Sequence, residues 1–215
     1  MQQRPNIVFY FSDQQRWDTL GCYGQRLDVT PNLDALAAGG TRYENAFTCQ
    51  PVCGPARACL QTGRYATEIG CEINGFALPF GRVKTLAQCF NEAGYATGYV
   101  GKWHLATDRL AGIDYEQSAI PAERRGGDKD YWMAADVLEF TSHGYNGYVY
   151  NADNERVPFM GYRADCINNF AIDFLHGRKE QVEPFFLFIS QIEPHHQNDR
   201  RRYEGPDGSR AQFAD

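Results

Sequence analysis

Short apolar runs and helical spacings of apolar residues follow one another along this chain, and their order predicts alternating strands and helices. Continuous apolar segments are typical of strands that are covered on both faces, and they occur at 6–11, 95–100 and 184–191. Helix signals separate them, at 30–37, 55–62, 84–93 and 163–175. A further short strand is predicted at 42–47. This order favours an α/β fold with a mostly parallel central sheet and helices on both faces.

The predicted helices have recognisable ends. Thr30 is placed as the N-cap of the first helix, because Pro31 follows it and suits the first helical position. Gly63 and Gly94 follow the second and third helices, and glycine commonly ends a helix by adopting positive φ. These signals fix the approximate bounds of the helices.

The segment 108–158 differs from its surroundings because it is rich in Gly, Tyr and charged residues. We interpret it as an insertion that contains one hairpin, with strands at 147–150 and 156–159 around the turn 152–154. The whole chain, 1–215, is interpreted as one domain that includes this insertion.

Composition and charge exclude several classes of protein. The chain has 215 residues, of which 43% are hydrophobic and 22% charged, as in an ordinary globular protein. Its net charge of −6 disfavours nonspecific binding to nucleic acid or to an anionic membrane, so Arg200–Arg202 is interpreted as a solvated loop. No apolar run approaches the roughly 20 residues of a membrane span. The apolar residues of the first strand segment, Ile7 to Phe11, number five, fewer than the about 7–15 of a signal-peptide core, which predicts a cytoplasmic protein.

The cysteines do not form an obvious disulfide framework. There are seven of them, an odd number, and no pair has C-x-x-C spacing. A structural zinc site is therefore not expected, and most of the thiols are predicted to be free.

Three predicted strands are followed by polar or ionisable residues. Asp13 follows the first strand, Lys102 and His104 follow the second, and His195 and His196 follow the third. Ligands of open α/β sheets bind beyond the carboxyl ends of the strands, so we expect these side chains to meet. Lys102 and His104 are two residues apart and would share a face if the strand continued. Lys102 is expected to be exposed.

Cys53 is the cysteine whose surroundings suggest chemistry. It is predicted to be the N-cap of the second helix, where free backbone N–H groups and the helix dipole favour negative charge. Arg57 is four residues further on, so its guanidinium can reach back towards residue 53.

These residues carry a resemblance to a known family. Cys53-x-Pro55-x-Arg57 followed by Thr62-Gly63-Arg64 resembles the signature of the type I sulfatases. Further counterparts of that family are found along most of the chain, at Arg4-Pro-Asn-Ile-Val, Ser12-Asp13, Thr30-Pro-Asn-Leu-Asp34, Tyr43-x-Asn-Ala-Phe47, Gly94-Tyr95, Gly101-Lys-Trp-His104 and Pro194-His195. The resemblance implies an alkaline-phosphatase-like α/β fold and hydrolysis of a sulfate ester.

The resemblance also implies a modified nucleophile and a metal ion. A maturation enzyme would convert Cys53 to Cα-formylglycine, whose hydrate attacks sulfur before the covalent sulfate is eliminated. Asp13, Gln14 and residue 53 would bind Ca²⁺ or another divalent cation. Arg57 would hold the hydrate and His104 would orient or deprotonate it, while Lys102 and His195 would bind sulfate oxygens. The substrate would be a sulfated small molecule or carbohydrate.

Two departures from the family pattern affect the prediction. Gln14 occupies the position where many sulfatases have a second aspartate, which leaves one formal charge fewer for the cation. The family's second metal-binding pair and its C-terminal subdomain have no counterpart up to position 215. We therefore expect the N-terminal portion of a sulfatase catalytic domain, truncated and inactive by itself. The alternatives are a phosphonate monoesterase or phosphodiesterase of the same superfamily, and an inert truncated module.

Overall fold

A computed structural model describes residues 4–213 and shows a six-stranded sheet between two layers of helices. The strands are β1 Ile7–Phe11, β2 Ala96–Lys102, β3 Tyr131–Ala135, β4 Tyr145–Tyr150, β5 Arg156–Tyr162 and β6 Phe185–Ser190. The α-helices are α1 Pro31–Gly39, α2 Cys53–Thr62, α3 Ala66–Ile69, α4 Leu86–Glu92, α5 Leu138–Thr141 and α6 Arg163–Gly177. Short 3-10 turns occupy Trp17–Thr19, Gly21–Tyr23, Ala122–Arg124 and Ser209–Phe213.

The sheet is mostly parallel, as the sequence predicts. Its order is β1-β6-β2-β3-β4-β5, and the first four strands of that order run parallel. β4 and β5 form the predicted antiparallel hairpin at the other edge. The carboxyl ends of β1, β6 and β2 therefore lie side by side, which brings together the loops that follow them.

Strand β6 divides the apolar core into two layers because its side chains alternate between the faces of the sheet. Phe186 and Phe188 belong to the layer that packs beneath α2 and α4, whereas Phe185 and Leu187 belong to the layer beneath α6. The ring of Phe188 stacks on Tyr99 of β2, with 5.1 Å between centroids. All six side chains of β6 are buried, so this strand is covered on both faces as expected.

Strand β1 is not covered on both faces, and that prediction is wrong. It lies at an edge of the described sheet and pairs only with β6. Its alternate side chains are half-buried against Phe188, while Val8 is 49% and Tyr10 53% exposed. An apolar run specifies a strand, but neighbouring elements decide whether both faces are buried.

Two other predictions change in the structure. Residues 42–47 form no strand, because no strand of the described sheet runs beside them, and Phe47 is 89% exposed. Residues 131–135 lie within the proposed insertion 108–158 but form β3, which pairs with β2 in parallel. At least this part of 108–158 therefore belongs to the central sheet.

The helix ends largely follow their sequence signals. Thr30 occupies the N-cap position of α1, but its hydroxyl accepts a hydrogen bond from Gly21 rather than from the helix. Gly63 ends α2 in the left-handed conformation, with φ of 66°. The cysteines are all free thiols. Within residues 4–213, no helix is long and apolar enough to cross a membrane.

Candidate active site

The loops after β1, β2 and β6 converge with the start of α2. Asp13 follows β1, Lys102 ends β2, and the loop after β6 brings His195 next to Cys53. The structure thus brings together the side chains that the sequence places after three separate strands. Parallel strands end at the same edge of a sheet, so one location serves all three loops.

Three buried charged side chains, those of Asp13, Lys102 and Glu139, form the floor of the site. The Nζ atom of Lys102 lies 3.0 Å from Oδ2 of Asp13 and 2.9 Å from Oε1 of Glu139. Lys102 is completely buried, contrary to the expectation that it is exposed. Although burial opposes it, the charges of Lys102 and Arg57 hold the pKa of Asp13 well below its usual range. At neutral pH the floor therefore carries two carboxylates and a lysine ammonium between them.

Arg57 connects this floor to the ends of β2 and β6 through hydrogen bonds. Its guanidinium donates to the backbone carbonyl of Lys102 at 2.7 Å, to the Ser190 hydroxyl, and to Asp13 Oδ2 at 3.2 Å. The side chain is buried and its carbon Cζ lies 5.1 Å from the centre of the Phe11 ring. Arg57 lies below residue 53, and its hydrogen bonds hold the strand ends rather than reach back to the thiol.

Cys53 is the first residue of α2, because Val52 occupies the N-cap position. Its predicted place at the N-cap is therefore one residue too early. Its Sγ atom lies 3.9 Å from Nε2 of His195, and burial raises the pKa of this half-buried thiol. The next residue, Gly54, donates its N–H to the side chain of Asn74 at 2.8 Å.

His195 has a defined tautomer. Its Nδ1 atom is 2.6 Å from the carbonyl oxygen of His196, and a carbonyl can only accept a hydrogen bond. Nδ1 therefore carries the proton, and in the neutral ring Nε2 is left with a lone pair beside Cys53. This arrangement leaves an acceptor nitrogen next to the candidate nucleophile.

His104 reaches the site by a turn rather than by strand alternation. The strand ends at Lys102, and His104 adopts the left-handed conformation with φ of 60°. Its backbone N–H donates to the carbonyl of Asp136 at 2.8 Å. Burial and the charge of Lys102 lower the pKa of His104 to about 3, so its ring is neutral in physiological conditions. Nδ1 is buried and has no hydrogen-bond partner among the described residues.

Sequence reasoning missed two acidic residues that shape the site. Asp136 is fully buried, and its carboxylate accepts the backbone N–H groups of Leu105, Ala106 and Thr107 at 2.9–3.0 Å. Glu139 pairs with Lys102, and its second oxygen is buried with no hydrogen-bond partner in the described part of the chain. Both residues belong to the segment 108–158, which was interpreted as an insertion from its composition. The available signal was that these acidic residues closely follow the strand 131–135, as Asp13 follows β1.

A close backbone approach requires glycine at position 101. Gly101 has φ of 103°, a conformation that side chains rarely adopt. A Cβ atom there would lie 2.0 Å from the carbonyl oxygen of Ser190. The glycine therefore lets β2 and β6 end close together, which places Lys102 and Ser190 within reach of Arg57.

Three potential metal ligands meet above the floor. A carboxylate oxygen of Asp13, Sγ of Cys53 and a ring nitrogen of His195 lie within 4.8 Å of one another. Oδ2 of Asp13 is engaged by Lys102 and Arg57, while no donor among residues 4–213 bonds to Oδ1. The exposed Gln14 also lies here, and its amide oxygen accepts the backbone N–H of His196 at 3.1 Å.

The donor set partly fits a hard cation such as calcium. Calcium prefers six to eight oxygen ligands. Asp13 and Gln14 offer oxygens, but the Cys53 thiol does not, and it would contribute one only after conversion to a hydrated aldehyde. The described residues thus account for part of a calcium site.

The chain is similar to known sulfatases in sequence and in overall structure. A family model described as Sulfatase matches residues 5–214. An uncharacterized sulfatase, YidJ, from Escherichia coli K12 is 38% identical over 204 residues. The crystal structure of a putative YidJ sulfatase from Bacteroides fragilis superposes on the whole chain with a TM-score of 0.83 and 28% identity. Another solved structure, in complex with its substrate D-glucosamine-2-N,6-O-disulfate, matches 89% of the chain with a TM-score of 0.73 and 29% identity.

The matches cover most of this chain but only part of each relative. The E. coli sulfatase is matched over 90% of this chain and 39% of its own length. The chain covers 48% of the B. fragilis structure and 35% of the structure with bound disulfate. The expected fold class is confirmed, and the chain spans less than half the length of these relatives.

Proposed function

This chain belongs to the sulfatase family, and from that premise we propose that it contains the nucleophile and part of the anion-binding site of a sulfuric ester hydrolase. The observation that carries the proposal is the position of Cys53. It begins α2 at 3.9 Å from His195 Nε2, above the buried pairs that Asp13 forms with Lys102 and Arg57. Hydrolysis of phosphonate monoesters or of phosphate diesters, the alternative from the sequence, is not proposed, because no residue of the site favours it.

Residue 53 is the proposed nucleophile in its modified form. As Cα-formylglycine, supplied by a maturation enzyme, it would provide a hydrated aldehyde. One of its hydroxyls would lose a proton and attack sulfur, and the S–O bond to the alcohol would break so that the alcohol leaves. The second hydroxyl would then lose its proton, reform the aldehyde and release sulfate. His195 is suitably placed to accept a proton at Nε2, because its Nδ1–H is held by the His196 carbonyl. His104 is neutral and too weakly basic for that role, so it would orient the nucleophile.

Lys102 is proposed to bind a sulfate oxygen. An ammonium has three N–H donors, and two of them are taken by Asp13 and Glu139. The third has no acceptor among the described residues, and it would reach a substrate oxygen only when the side chains that now cover Lys102 move aside; the two carboxylates fix the position of the Nζ atom. Transfer of a sulfuryl group depends on such fixed cations around its oxygens.

A divalent cation, with calcium the first candidate, would be held by Asp13, Gln14 and residue 53. It would supply positive charge that polarises a sulfate oxygen. Because these residues provide only part of a calcium shell, we propose that further ligands come from a segment equivalent to the remaining length of the relatives. The 215 residues alone are then expected to be inactive. A sulfated carbohydrate is the proposed substrate class, in line with the relative that binds a sulfated glucosamine.

The test is substitution of Cys53 in a polypeptide extended to the length of the relatives and produced with the maturation enzyme. Cys53→Ala is expected to abolish hydrolysis of 4-nitrophenyl sulfate, because alanine has no thiol that the maturation enzyme could convert to the aldehyde. Cys89→Ala is the matched control, since that thiol is exposed on α4, and it should keep full activity. Mass spectrometry of the peptide covering residue 53 should show replacement of the thiol by an aldehyde. Wild-type turnover by Cys53→Ala would refute the assignment.

A further inference from the structure

Arg163 is a buried charged residue that the proposed hydrolysis does not use. It begins α6 directly after β5, and its side chain is 1% exposed. Its guanidinium forms an ion pair with Glu193, at 2.8 Å between Nε and Oε1. A charge is removed from water at a high cost in free energy unless partners surround it, so the choice of partners indicates what the residue holds in place.

The partners of Arg163 lie on both sides of His195 in the chain. Nε donates to Glu193, two residues before His195, and Nη1 donates to the side-chain oxygen of Gln197, two residues after it, at 3.1 Å. Gln197 is as deeply buried as Arg163. One guanidinium thus bridges the two ends of the segment 193–197.

The segment 193–197 follows β6 and belongs to no helix or strand. It therefore lacks the regular backbone hydrogen bonds that hold a central strand in place. A guanidinium suits this task because it presents several donors in one rigid plane. The amide nitrogen of Gln197 in turn donates to the backbone carbonyl of Glu139 at 2.8 Å, beside the floor of the site. Side chains thus hold both ends of the segment, and His195 lies at its centre.

We propose that Arg163 is a positioning residue, which holds the segment 193–197 so that Nε2 of His195 faces residue 53. The two groups are 3.9 Å apart, from Nε2 to the Cys53 sulfur. The proposal rests on the proposed function, in which this nitrogen accepts a proton from residue 53. A displacement of about 1 Å can slow a reaction about a hundredfold, so a small movement of the segment is sufficient. Within residues 4–213, the hydrogen bonds of the guanidinium go to three residues, namely Glu193, Gln197 and Ser142.

The test is a double-mutant cycle in the extended, matured polypeptide, with 4-nitrophenyl sulfate as the substrate. Arg163→Gln is expected to lower kcat at least about tenfold and to change KM less than about threefold, because it displaces the proton acceptor and not the groups that bind sulfate. In a His195→Ala background, the same substitution should change kcat less than about twofold, since the residue that it positions is absent. Urea denaturation shows which variants are folded under the assay conditions.

Two sets of variants separate positioning from a loss of stability. Arg125→Gln is the matched control, because Arg125 is also buried but donates to Ala152 and Asn154 in the turn between β4 and β5. It should leave kcat unchanged. Glu193→Gln keeps an oxygen for Nε of Arg163 and should retain most of kcat, whereas Glu193→Ala should reproduce the loss. This Glu193 pair decides the matter if Arg163→Gln does not fold.

A second measurement needs no sulfatase activity. In the unmodified 215-residue chain, His195 can accept the proton of the Cys53 thiol, and the resulting thiolate is the form that iodoacetamide alkylates. Arg163→Gln should slow alkylation of Cys53 at least about threefold relative to the exposed Cys89, as measured by mass spectrometry of the two peptides. In a His195→Ala background it should slow alkylation no further.

Each outcome bears on the proposal. An equal loss of kcat in the His195→Ala background, or an equal loss from Arg125→Gln, would show a general effect on the fold and would overturn it. Unchanged kcat in Arg163→Gln, or in Glu193→Ala, would overturn it as well. If no polypeptide hydrolyses the ester, the proposed function fails and the alkylation rates decide alone. A slower rate that depends on His195 would then retain the positioning role, and an unchanged rate would refute it.

Discussion

Lys102 is the residue whose replacement should most clearly reveal how the site is built. Its ammonium is completely buried between Asp13 and Glu139, with both carboxylates within 3.0 Å. Replacement by alanine removes the only group among residues 4–213 that pairs with the Glu139 carboxylate, and it leaves two buried carboxylates close together. The expected effect is therefore a large loss of stability in addition to any loss of sulfate binding.

The size of the loss follows from the burial of the partners. The side chains of Asp13 and Glu139 are 8% and 3% exposed, so solvent cannot replace the missing ammonium. Breaking a buried ion pair by removing one partner costs about 3–5 kcal/mol. Arg57 still pairs with Asp13 at 3.2 Å, so we expect a value near the lower end, about 3 kcal/mol. For a protein of this size, that corresponds to a fall of about 6–12 °C in the melting temperature.

Urea denaturation with EDTA present measures this free energy of unfolding. Lys129→Ala removes an exposed lysine and should change it by less than about 0.5 kcal/mol. Adding Glu139→Gln to Lys102→Ala removes one unpaired charge and should restore part of the loss. The difference between wild type and Lys102→Ala should also become smaller as the pH falls.

The sign of that pH dependence follows from the two carboxylates. Burial by itself raises the pKa of Asp13 and of Glu139, but Lys102, together with the other groups around each carboxylate, outweighs burial, and both pKa values are lowered in the folded protein. Their contribution to stability is therefore present above their ordinary pKa values and is lost as the pH falls through the lowered ones. Without Lys102, burial raises the pKa of Glu139. Acid therefore protonates this carboxylate, and the cost of keeping an unpaired charge buried disappears. A cost below about 1 kcal/mol, or one independent of pH between about 4 and 7, would refute this account.

Three further predictions concern the surrounding structure. Asp136→Ala removes the carboxylate that accepts the backbone N–H groups of Leu105, Ala106 and Thr107, so these groups lose their partner. The free energy of unfolding in urea should fall by at least about 3 kcal/mol, and by more than in Asp136→Asn. A fall below about 1 kcal/mol would contradict the anchoring role of Asp136. Asp13→Asn should weaken calcium binding at least tenfold by calorimetry, and tight binding independent of Asp13 would exclude it as a ligand. The exposed apolar residues Val8 and Tyr10 of β1 predict that the isolated 215 residues associate in light scattering. Val8→Lys should reduce this association and the exposed control Leu110→Lys should not; equal effects would show that this face of β1 is not the contact.

Sequence patterns predicted the parts of the fold that depend on local order. The apolar run 184–191 and the helix 163–175 correspond closely to β6 and α6. The hairpin after residue 144 was also predicted, because its turn residues 152–154 separate two apolar segments. Side-chain period and turn chemistry act over a few residues, so they can be recognised without knowledge of the rest of the chain.

The list of candidate site residues was also available from the sequence. Asp13, Lys102, His104 and His195 each follow a predicted strand, and parallel strands deliver such residues to one edge of a sheet. Cys53 was distinguished from the other cysteines by its place at the start of a helix and by its sulfatase-like surroundings. Their convergence in space could therefore be predicted without knowledge of any particular contact.

Tertiary structure alone decided how these residues interact. Burial of Lys102, the edge position of β1 and the absence of a strand at 42–47 depend on which segments pack together, and no local pattern records that. Glu139 is 37 residues from Lys102 in the chain, and its position comes from the pairing of β3 with β2. Ion pairs depend on distances of a few ångströms between segments far apart in sequence. The sequence therefore determined which chemical groups reach the site, whereas the packing of the sheet determined their partners, their burial and their charge.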